Sequence, residues 1–284
     1  MARLLTGLAL HALLREVQRD PEGLVLRSLP PPIRRLLRRH LKWPANALVD
    51  LIASTLLPIG QRRSLRAIRG EEHSVGEGLV VEVFRTHAPA GAPLLLFVHG
   101  GIWTLGNRYQ YRGIGQRAAV EGMVGVVLGY RTWPEANASE QASSVRAALA
   151  FVREHAARWG ADEKRVYLSG QSSGANVSAL ALMEGGGVSC AGLIGMGGCY
   201  DVSEHFEYES RRGVEQVSML EVACAPFHAH SPTLLLRQRP ARLACDRVLL
   251  MHGERDVVVP PSSSALFAVE LAKVGQQVTY HDEE

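Results

Sequence analysis

The chain has 284 residues, 46% of them hydrophobic, and a formal net charge of +3, enough to bury the core of one α/β domain with an appended segment. Five of its 31 Lys and Arg lie in residues 33–42 and the rest of the chain is close to neutral, which gives no indication of a nucleic-acid partner. Four widely spaced cysteines without a C-x-x-C pattern favour a reduced intracellular protein over one with disulfides.

Residues 1–62 predict an N-terminal helical segment, interrupted by three consecutive prolines at 30–32. Its apolar stretches at 4–14 and 47–60 do not meet the pattern of an export signal or a membrane span. In residues 33–42, apolar side chains at i, i+3, i+4 and i+8 are surrounded by basic ones. This stretch predicts either a peripheral membrane contact on anionic lipid or a helix packed on the domain, and both interpretations stay open. The predicted location is therefore cytoplasmic or peripheral on an internal membrane.

From residue 63 to 284, short apolar runs alternate with helical patterns. Strands are predicted at 79–86, 94–99, 123–129, up to 171, 191–196, 247–253 and 277–281, and helices at 142–159, after Ser173 and at 262–274. This order predicts a mostly parallel sheet with helices on both faces. Residues 199–240 are predicted to be irregular and to form a lid. Its candidate pocket-lining side chains, which have simple packing as their alternative role, are Phe206, Tyr208, Met219, Leu220 and Phe227.

The first candidate functional motif is the sequence FVHGGIW at residues 97–103, directly after a predicted strand. A glycine pair lets the backbone turn its N–H groups towards a common point, where they can stabilise negative charge on a carbonyl oxygen. The predicted donors of such an oxyanion hole are the N–H groups of Gly101, Ile102 and Ser173. His99 is predicted to order this loop and not to act as a base.

The second motif is G-x-S-x-G at residues 170–174, between an apolar strand and a run of small residues typical of a helix. This context is that of a nucleophile elbow, a sharp strand-to-helix turn that exposes a serine Oγ. Gly170 and Gly174 fit the turn because a side chain at either position would crowd it. The predicted nucleophile is Ser172.

The third motif is MHGERDVVVP at residues 251–260, after a late predicted strand. A carboxylate in such a turn can orient a histidine and stabilise its cation, and the chain order Ser, Asp, His is that of α/β hydrolases. Asp256 is the predicted acid. Asp246 precedes the strand and is disfavoured, whereas Glu254 stays as the alternative acid.

These motifs resemble those of the α/β-hydrolase superfamily, in its esterase/lipase branch with an H-G-G-x-W oxyanion motif. Within that branch the chain looks most like the plant-type isoprenylcysteine methylesterases, from about residue 55 onward. The further segments that carry the resemblance are GYRTWP at 129–134, WGAD at 159–162, GGCYD at 197–201 and SP at 231–232. The resemblance implies a membrane-associated serine esterase, without cofactor or metal, that acts on the methyl ester of a prenylated cysteine. Kynurenine formamidase-like and feruloyl-esterase-like proteins share much of the pattern.

The catalytic base is the part of the pattern that the chain does not supply. The resemblance implies a histidine just after the last strand, a few residues beyond Glu284, so the C-terminal end is expected to be truncated and the chain to be a fragment. His281 could act as base only if that strand ends early, and His205, His228 and His230 are favoured as polar lid residues over a base or a metal pair. Two alternatives to an ester hydrolase therefore stay open, namely a non-catalytic ligand binder or inactive fragment, and a formamidase or other amidase of the same fold.

Overall fold

The structure is a computed structural model that describes residues 68–86, 89–184, 187–213, 215 and 219–283. The predicted N-terminal segment 1–62, its membrane-contact stretch 33–42 and the boundary at residue 63 lie outside these ranges.

In the described residues, one eight-stranded sheet runs through the molecule in the order β1-β2-β4-β3-β5-β6-β7-β8. The contacts β1–β2 and β2–β4 are antiparallel, and all others are parallel. The strands are β1 Glu71–Gly76, β2 Leu79–Phe84, β3 Ala92–Val98, β4 Val124–Gly129, β5 Ala161–Gln171, β6 Cys190–Met196, β7 Cys245–Gly253 and β8 Gln277–Glu283.

Helices connect the parallel strands, because the chain must cross over from the end of one strand to the start of the next. They are α1 Arg112–Val120, α2 Ala138–His155, α3 Ser173–Met183, α4 Val202–Arg212, α5 Leu220–Ala223, α6 Pro232–Gln238 and α7 Ser262–Lys273. Short 3-10 helices span Arg108–Tyr111, Ala156–Trp159 and Phe227–His230.

Both faces of the sheet are covered, because neighbouring residues on each strand point in opposite directions. On β3, Leu96 and Val98 belong to a large apolar cluster that also takes in residues of α2, α3, α6 and α7, while Phe97 belongs to a smaller cluster with Ala119 of α1. The predicted fold, a mostly parallel sheet with helices on both faces, is confirmed.

Several elements differ from the sequence-based predictions. Strand β1 and helix α1 were not predicted, and β8 continues two residues beyond the predicted end at His281. The prediction that residues 199–240 are irregular is wrong, since this segment contains α4, α5, a 3-10 helix and α6. The last of these helices, α6, packs against α3 and α7 and so belongs to the layer of helices on the sheet.

Candidate active site

Ser172 lies at the sharp turn between β5 and α3, at the carboxyl edge of the sheet. Its backbone has φ 54° and ψ −124°, a left-handed conformation that a residue with a side chain rarely adopts. The N–H of Ser172 donates to the carbonyl of Met196 at the end of β6, 2.9 Å away, which ties the turn to the neighbouring strand. The serine side chain is half-buried and stands where β5 stops and α3 begins.

The glycines around Ser172 allow α3 to come close to the sheet. A Cβ atom on Gly174 would lie 2.3 Å from the carbonyl oxygen of Val98, and one on Gly170 would lie 2.4 Å from the carbonyl oxygen of Gly174. Both contacts are with backbone atoms, which cannot move aside without shifting α3 or β3.

Gly174→Ala is therefore expected to lower the free energy of unfolding by about 2 kcal/mol or more, because overpacking outweighs the better helix propensity of alanine. Gly76→Ala is the matched control, since a Cβ there meets no atom within 4 Å and should change stability by less than about 0.5 kcal/mol. Urea unfolding of both variants measures the difference. Equal midpoints for the two would contradict the close approach of α3 to β3.

The loop after β3 packs directly on the Ser172 turn. A Cβ on Gly100 would lie 2.9 Å from the Cβ of Ser172, and Gly101 (φ 139°) and Ile102 (φ 49°) have positive φ. Within the ranges that the structure describes, the N–H groups of Gly101, Ile102 and Ser173 donate no hydrogen bond. The three predicted oxyanion donors thus have unused N–H groups next to the serine turn.

Buried side chains hold this loop in its strained conformation. Trp103 is 1% exposed, has φ 60°, and donates from Nε1 to Asn176 Oδ1 of α3 at 3.2 Å. Its carbonyl accepts from Gln141 Nε2 of α2 at 2.7 Å, and Tyr130 OH donates to the carbonyl of His99 at 2.8 Å. The predictions from sequence gave Asn176 and Gln141 no role, although a fully buried amide in a helix indicates such a network.

His99 is fully buried, with its ring stacked on Tyr130, and it lies at the base of the same loop. Its Nδ1 is 2.9 Å from the carbonyl of Gly100, which can only accept, so Nδ1 carries the proton. Burial lowers the pKa of His99 to about 4, against the opposing effect of this hydrogen bond. His99 is therefore neutral at pH 7 and orders the loop.

The depressed pKa of His99 makes a testable contribution to the pH dependence of stability. An unfolded chain takes up this proton near pH 6.5, whereas the folded chain takes it up only near pH 4, so the free energy of unfolding falls as the pH drops between these values. The loss reaches about 3 kcal/mol near pH 4. Urea unfolding at about pH 7 and about pH 5 should show a smaller loss in His99→Gln, which keeps a donor for Gly100 but does not titrate. An equal loss of unfolding free energy between the two pH values in variant and parent would contradict the lowered pKa of His99.

Asp256 lies in the turn after β7, at the same edge of the sheet as Ser172. Its Oδ1 accepts from the N–H groups of Val258 and Val259 at 2.8 and 3.0 Å, and its Oδ2 lies 3.4 Å from Nε2 of His252. Partial burial raises the pKa of this carboxyl, but the hydrogen bonds from His252, Val258 and Val259 outweigh burial and leave the pKa lowered. The side chain is thus ionised at neutral pH.

The position of Asp256 relative to Ser172 can be traced through the residues at the end of β6, which the Asp256 side chain and the Ser172 backbone both approach. Asp256 Oδ2 lies 3.5 Å from the position that a Cβ on Gly197 would occupy, and Gly197 directly follows Met196, whose carbonyl accepts from the N–H of Ser172. The structure therefore places the predicted nucleophile after β5 and the predicted acid after β7, on either side of the end of β6. The disfavoured Asp246 lies near the amino end of β7, at the opposite edge.

His252 supports the turn that carries Asp256, a role that the sequence-based predictions did not assign. Its side chain has no exposed surface, Nδ1 accepts from Ser264 Oγ at 2.7 Å, and Nε2 donates to the carbonyl of Val259 at 2.9 Å. With both ring nitrogens engaged, His252 braces the turn around Asp256. Its position in the sequence pattern H-G-x-x-D, four residues before Asp256, could have indicated this role.

Of the remaining candidate histidines, His205 and His230 have partners other than Ser172. His281 lies inside β8, opposite Met251 of β7, so the strand does not end early as a role for it required. His205 Nε2 lies 3.2 Å from Glu209 on α4, and His228 is exposed. His230 contacts Ser139 Oγ through Nε2 and the carbonyl of Cys224 through Nδ1, each at 2.7 Å. Among the described residues no histidine hydrogen-bonds Ser172 Oγ.

The predicted pocket-lining residues of 199–240 divide into two groups. Leu220 and Met219 are buried, and Leu220 belongs to the main core, which favours simple packing for both. Phe206 and Phe227 are half-buried with ring centroids 5.0 Å apart, and Tyr208 OH donates to the carbonyl of Val257, next to Asp256. These three aromatic side chains stay candidates for contact with a ligand. No group of three or more metal-ligating side chains occurs in the part of the chain that the structure describes.

Comparisons with known proteins find esterases that are similar in sequence and an esterase that is similar in fold. A family model described as BD-FAE matches residues 83–199. A probable isoprenylcysteine alpha-carbonyl methylesterase of Oryza sativa subsp. japonica is 28% identical over 65% of this chain and 48% of its own length, and the esterase LipC of Mycobacterium tuberculosis is 30% identical over 66% and 51%. The chain thus spans about half the length of these relatives. A hyperthermophilic esterase of the archaeon Pyrobaculum calidifontis superposes with a TM-score of 0.66 at 19% identity, over 90% of this chain and 88% of that one.

Proposed function

We propose, on the premise that this chain is an α/β hydrolase of the esterase/lipase branch, that it is a carboxylic-ester hydrolase acting through an acyl intermediate on Ser172. The observation that carries the proposal is the strained φ of 54° at Ser172, beside a glycine loop with unused N–H groups. Strain of this kind costs roughly 1–3 kcal/mol and is typical of functional sites. The similarity to esterases supports the same chemistry.

In the proposed reaction, Ser172 Oγ attacks the carbonyl carbon of the ester while a base takes its proton. The negative charge that develops on the carbonyl oxygen is stabilised by the N–H groups of Gly101, Ile102 and Ser173. Collapse of this intermediate releases the alcohol and leaves an acyl group on Ser172, which water then removes. Asp256, ionised and fixed by its turn, orients the base and stabilises its cation.

The proposed reaction requires a base that reaches Ser172, and the family resemblance implies a histidine in this role. A second candidate function, binding of an ester without turnover, is favoured by one observation, namely that no described histidine hydrogen-bonds Ser172 Oγ. The two functions share the serine turn and the oxyanion donors, and they differ only in whether a base reaches the serine.

The proposed substrate class is the methyl esters of prenylated cysteine, on the basis of the similarity to plant methylesterases. The aromatic pair Phe206 and Phe227 near Tyr208 would suit an isoprenoid chain. The membrane contact of residues 33–42 and the intracellular location stay predictions. In the ranges with described coordinates, no helix is long and apolar enough to cross a membrane.

The experiment that tests the proposal compares four compounds under the same conditions. These are p-nitrophenyl butyrate, N-acetyl-S-farnesylcysteine methyl ester, the same methyl ester without the farnesyl group, and a formylated aromatic amine. Hydrolysis of both the first two, with the farnesyl ester preferred over its unprenylated analogue, is the expected result. Preference for the formyl amide would assign a formamidase instead.

Labelling by a fluorophosphonate separates the enzyme from the binder. Covalent labelling of Ser172 requires an activated serine and is expected for the enzyme. If the protein binds the farnesyl ester, shown by quenching of tryptophan fluorescence, but is neither labelled nor active, the binding function replaces the proposed one. If it neither binds nor hydrolyses the farnesyl ester but is labelled, the ester chemistry stands and the substrate class is wrong.

A further inference from the structure

A cleft lies at the edge of the sheet opposite Ser172. It has a volume of about 540 Å³ and opens at the amino ends of β6 and β7, where Cys190 and Cys245 begin these strands. Because β5, β6 and β7 are parallel, their amino ends lie a strand length away from the serine turn at the carboxyl end of β5. The catalytic proposal gives this cleft no role.

The two cysteines of the cleft are direct neighbours in the sheet. Cys190 and Cys245 are paired in the parallel register of β6 and β7, and both side chains lie on the same face. Paired residues on neighbouring strands have Cα atoms about 4.8 Å apart, which is within the range of about 4.4–6.8 Å found for disulfides. Both residues are largely buried, at 7% and 8% exposed, and because they are already paired, a bond between them needs no shift of the strand register.

The charges around the cleft favour a thiolate on one of the two cysteines. The hydrogen bond from Cys245, two backbone hydrogen bonds and the charge of Arg153 lower the pKa of Cys190, against the effect of burial. The same thiol pair, burial and the charge of Asp246 raise the pKa of Cys245. Lys164 and Arg242 also line the cleft, and with Arg153 they outnumber the carboxylates Glu163 and Asp246.

We propose that Cys190 and Cys245 form a reversible thiol–disulfide exchange site whose reactant is a small disulfide carrying carboxylate groups. Cys190 is the attacking thiol and Cys245 the resolving thiol. The three cations at the mouth of the cleft attract the carboxylates of the reactant. This proposal is independent of the ester chemistry at the other edge of the sheet.

The exchange balances in two steps, written for a reactant RSSR. The Cys190 thiolate attacks one sulfur, the S–S bond of RSSR breaks, and the released RS⁻ takes up the proton that Cys190 has lost. The Cys245 thiolate then attacks the Cys190 sulfur, the mixed disulfide breaks, and a second RS⁻ leaves and is protonated by the proton of Cys245. In total, two electrons pass from the protein dithiol to RSSR, giving a protein disulfide and two RSH.

The disulfide would link the amino ends of two central strands and close the loop from 190 to 245. The carboxyl ends of the same strands carry Met196, which accepts from the N–H of Ser172, and lead to Asp256. Since the carboxyl ends keep their register, the oxidised protein should keep the geometry of the serine turn. Its melting temperature should rise by about 5 °C or more, because the closed loop restricts the unfolded chain.

The experiment treats the native full chain with glutathione disulfide and follows the intact mass and the positions of the modified cysteines by peptide mapping. The parent protein is expected to lose about 2 Da through a Cys190–Cys245 disulfide. Cys245→Ser should stop at the mixed disulfide, with glutathione on Cys190, and Cys190→Ser should react at least about tenfold more slowly. Cys199→Ser/Cys224→Ser is the matched control and should react like the parent, since these residues are only 1% and 0% exposed, against 7% and 8% for Cys190 and Cys245, and burial raises the pKa of their thiols.

A variant with fewer positive charges tests whether the cleft recognises carboxylates. It keeps both cysteines, so its result does not depend on whether the cysteine variants fold. Lys164→Gln/Arg242→Gln should slow the reaction with glutathione disulfide about fivefold or more, but leave the reaction with neutral hydroxyethyl disulfide unchanged. Peptide mapping of the parent protein needs no variant at all. Mapping of the disulfide to Cys199 and Cys224, reaction only under denaturing conditions, or equal rates for Cys190→Ser and Cys245→Ser would each overturn the proposal.

Discussion

Ser172→Ala is expected to abolish fluorophosphonate labelling and to lower kcat/KM for p-nitrophenyl butyrate by about 10⁴-fold or more. The substitution removes the proposed nucleophilic atom, Oγ, while the N–H groups of Gly101 and Ile102 stay in place. The remaining activity would be that of the oxyanion donors and substrate binding alone. Ser172 Oγ makes no hydrogen bond among the described residues, so the free energy of unfolding should hardly change.

Ser178→Ala is the matched control, because Ser178 lies on the same helix and its hydroxyl donates only to the carbonyl of Gly174 one turn earlier. This variant should keep labelling and turnover within about twofold of the parent. Labelling that persists in Ser172→Ala would place the nucleophile at another residue. Equal loss of labelling in both variants would show that the effect is not specific to Ser172.

The central sheet could be predicted from the sequence because its parallel strands are short apolar runs between helical patterns. Strand β4, for example, is five buried residues followed by one half-buried glycine. The Ser172 turn was predictable for a related reason, since Gly170 is required by the carbonyl of Gly174 four residues later, whereas Gly174 is required by the carbonyl of Val98 in β3. Local steric requirements of this kind leave a pattern in the sequence.

The elements that could not be predicted bury polar residues or lie at the edge of the sheet. Strand β1 has exposed side chains at alternate positions, so it lacks an apolar run. Helix α4 buries Val202, His205 and Glu209, and two of these three are polar, which hides the helical periodicity. Its start was nevertheless marked by Asp201, whose side chain accepts from the N–H of Glu204.

The network around the site depends on contacts between distant segments, which no local pattern reveals. Asn176 joins the loop of Trp103 to the carbonyls of Cys199 and His230, three segments far apart in sequence. His252 holds the turn of Asp256 through Ser264 on α7 in the same way. Single residues in a motif could therefore be assigned, but not the residues that hold the motifs together.

Asp256→Asn is expected to lower kcat/KM by about 10³- to 10⁴-fold with little change in KM. The substitution removes the carboxylate that orients the base and stabilises its positive charge in the transition state. The amide oxygen can still accept from the N–H groups of Val258 and Val259, so the turn should keep its shape. The variant loses the negative charge next to Nε2 of His252, and with it the charge that would stabilise a protonated base. Steady-state kinetics on p-nitrophenyl butyrate measure the effect, and the melting temperature checks the fold.

Glu254→Gln separates the two candidate acids, because it makes the same chemical change two residues earlier in the same turn. Glu254 is exposed, whereas Asp256 is held by two backbone N–H groups and lies 3.5 Å from the Cβ position of Gly197 at the end of β6. A carboxylate that moves freely in water cannot fix the orientation of an imidazole, so Glu254→Gln should change kcat/KM by less than about twofold. The reverse ranking of the two variants would make Glu254 the acid. It would also mean that the ionised, hydrogen-bonded state of Asp256 serves only to hold the turn after β7.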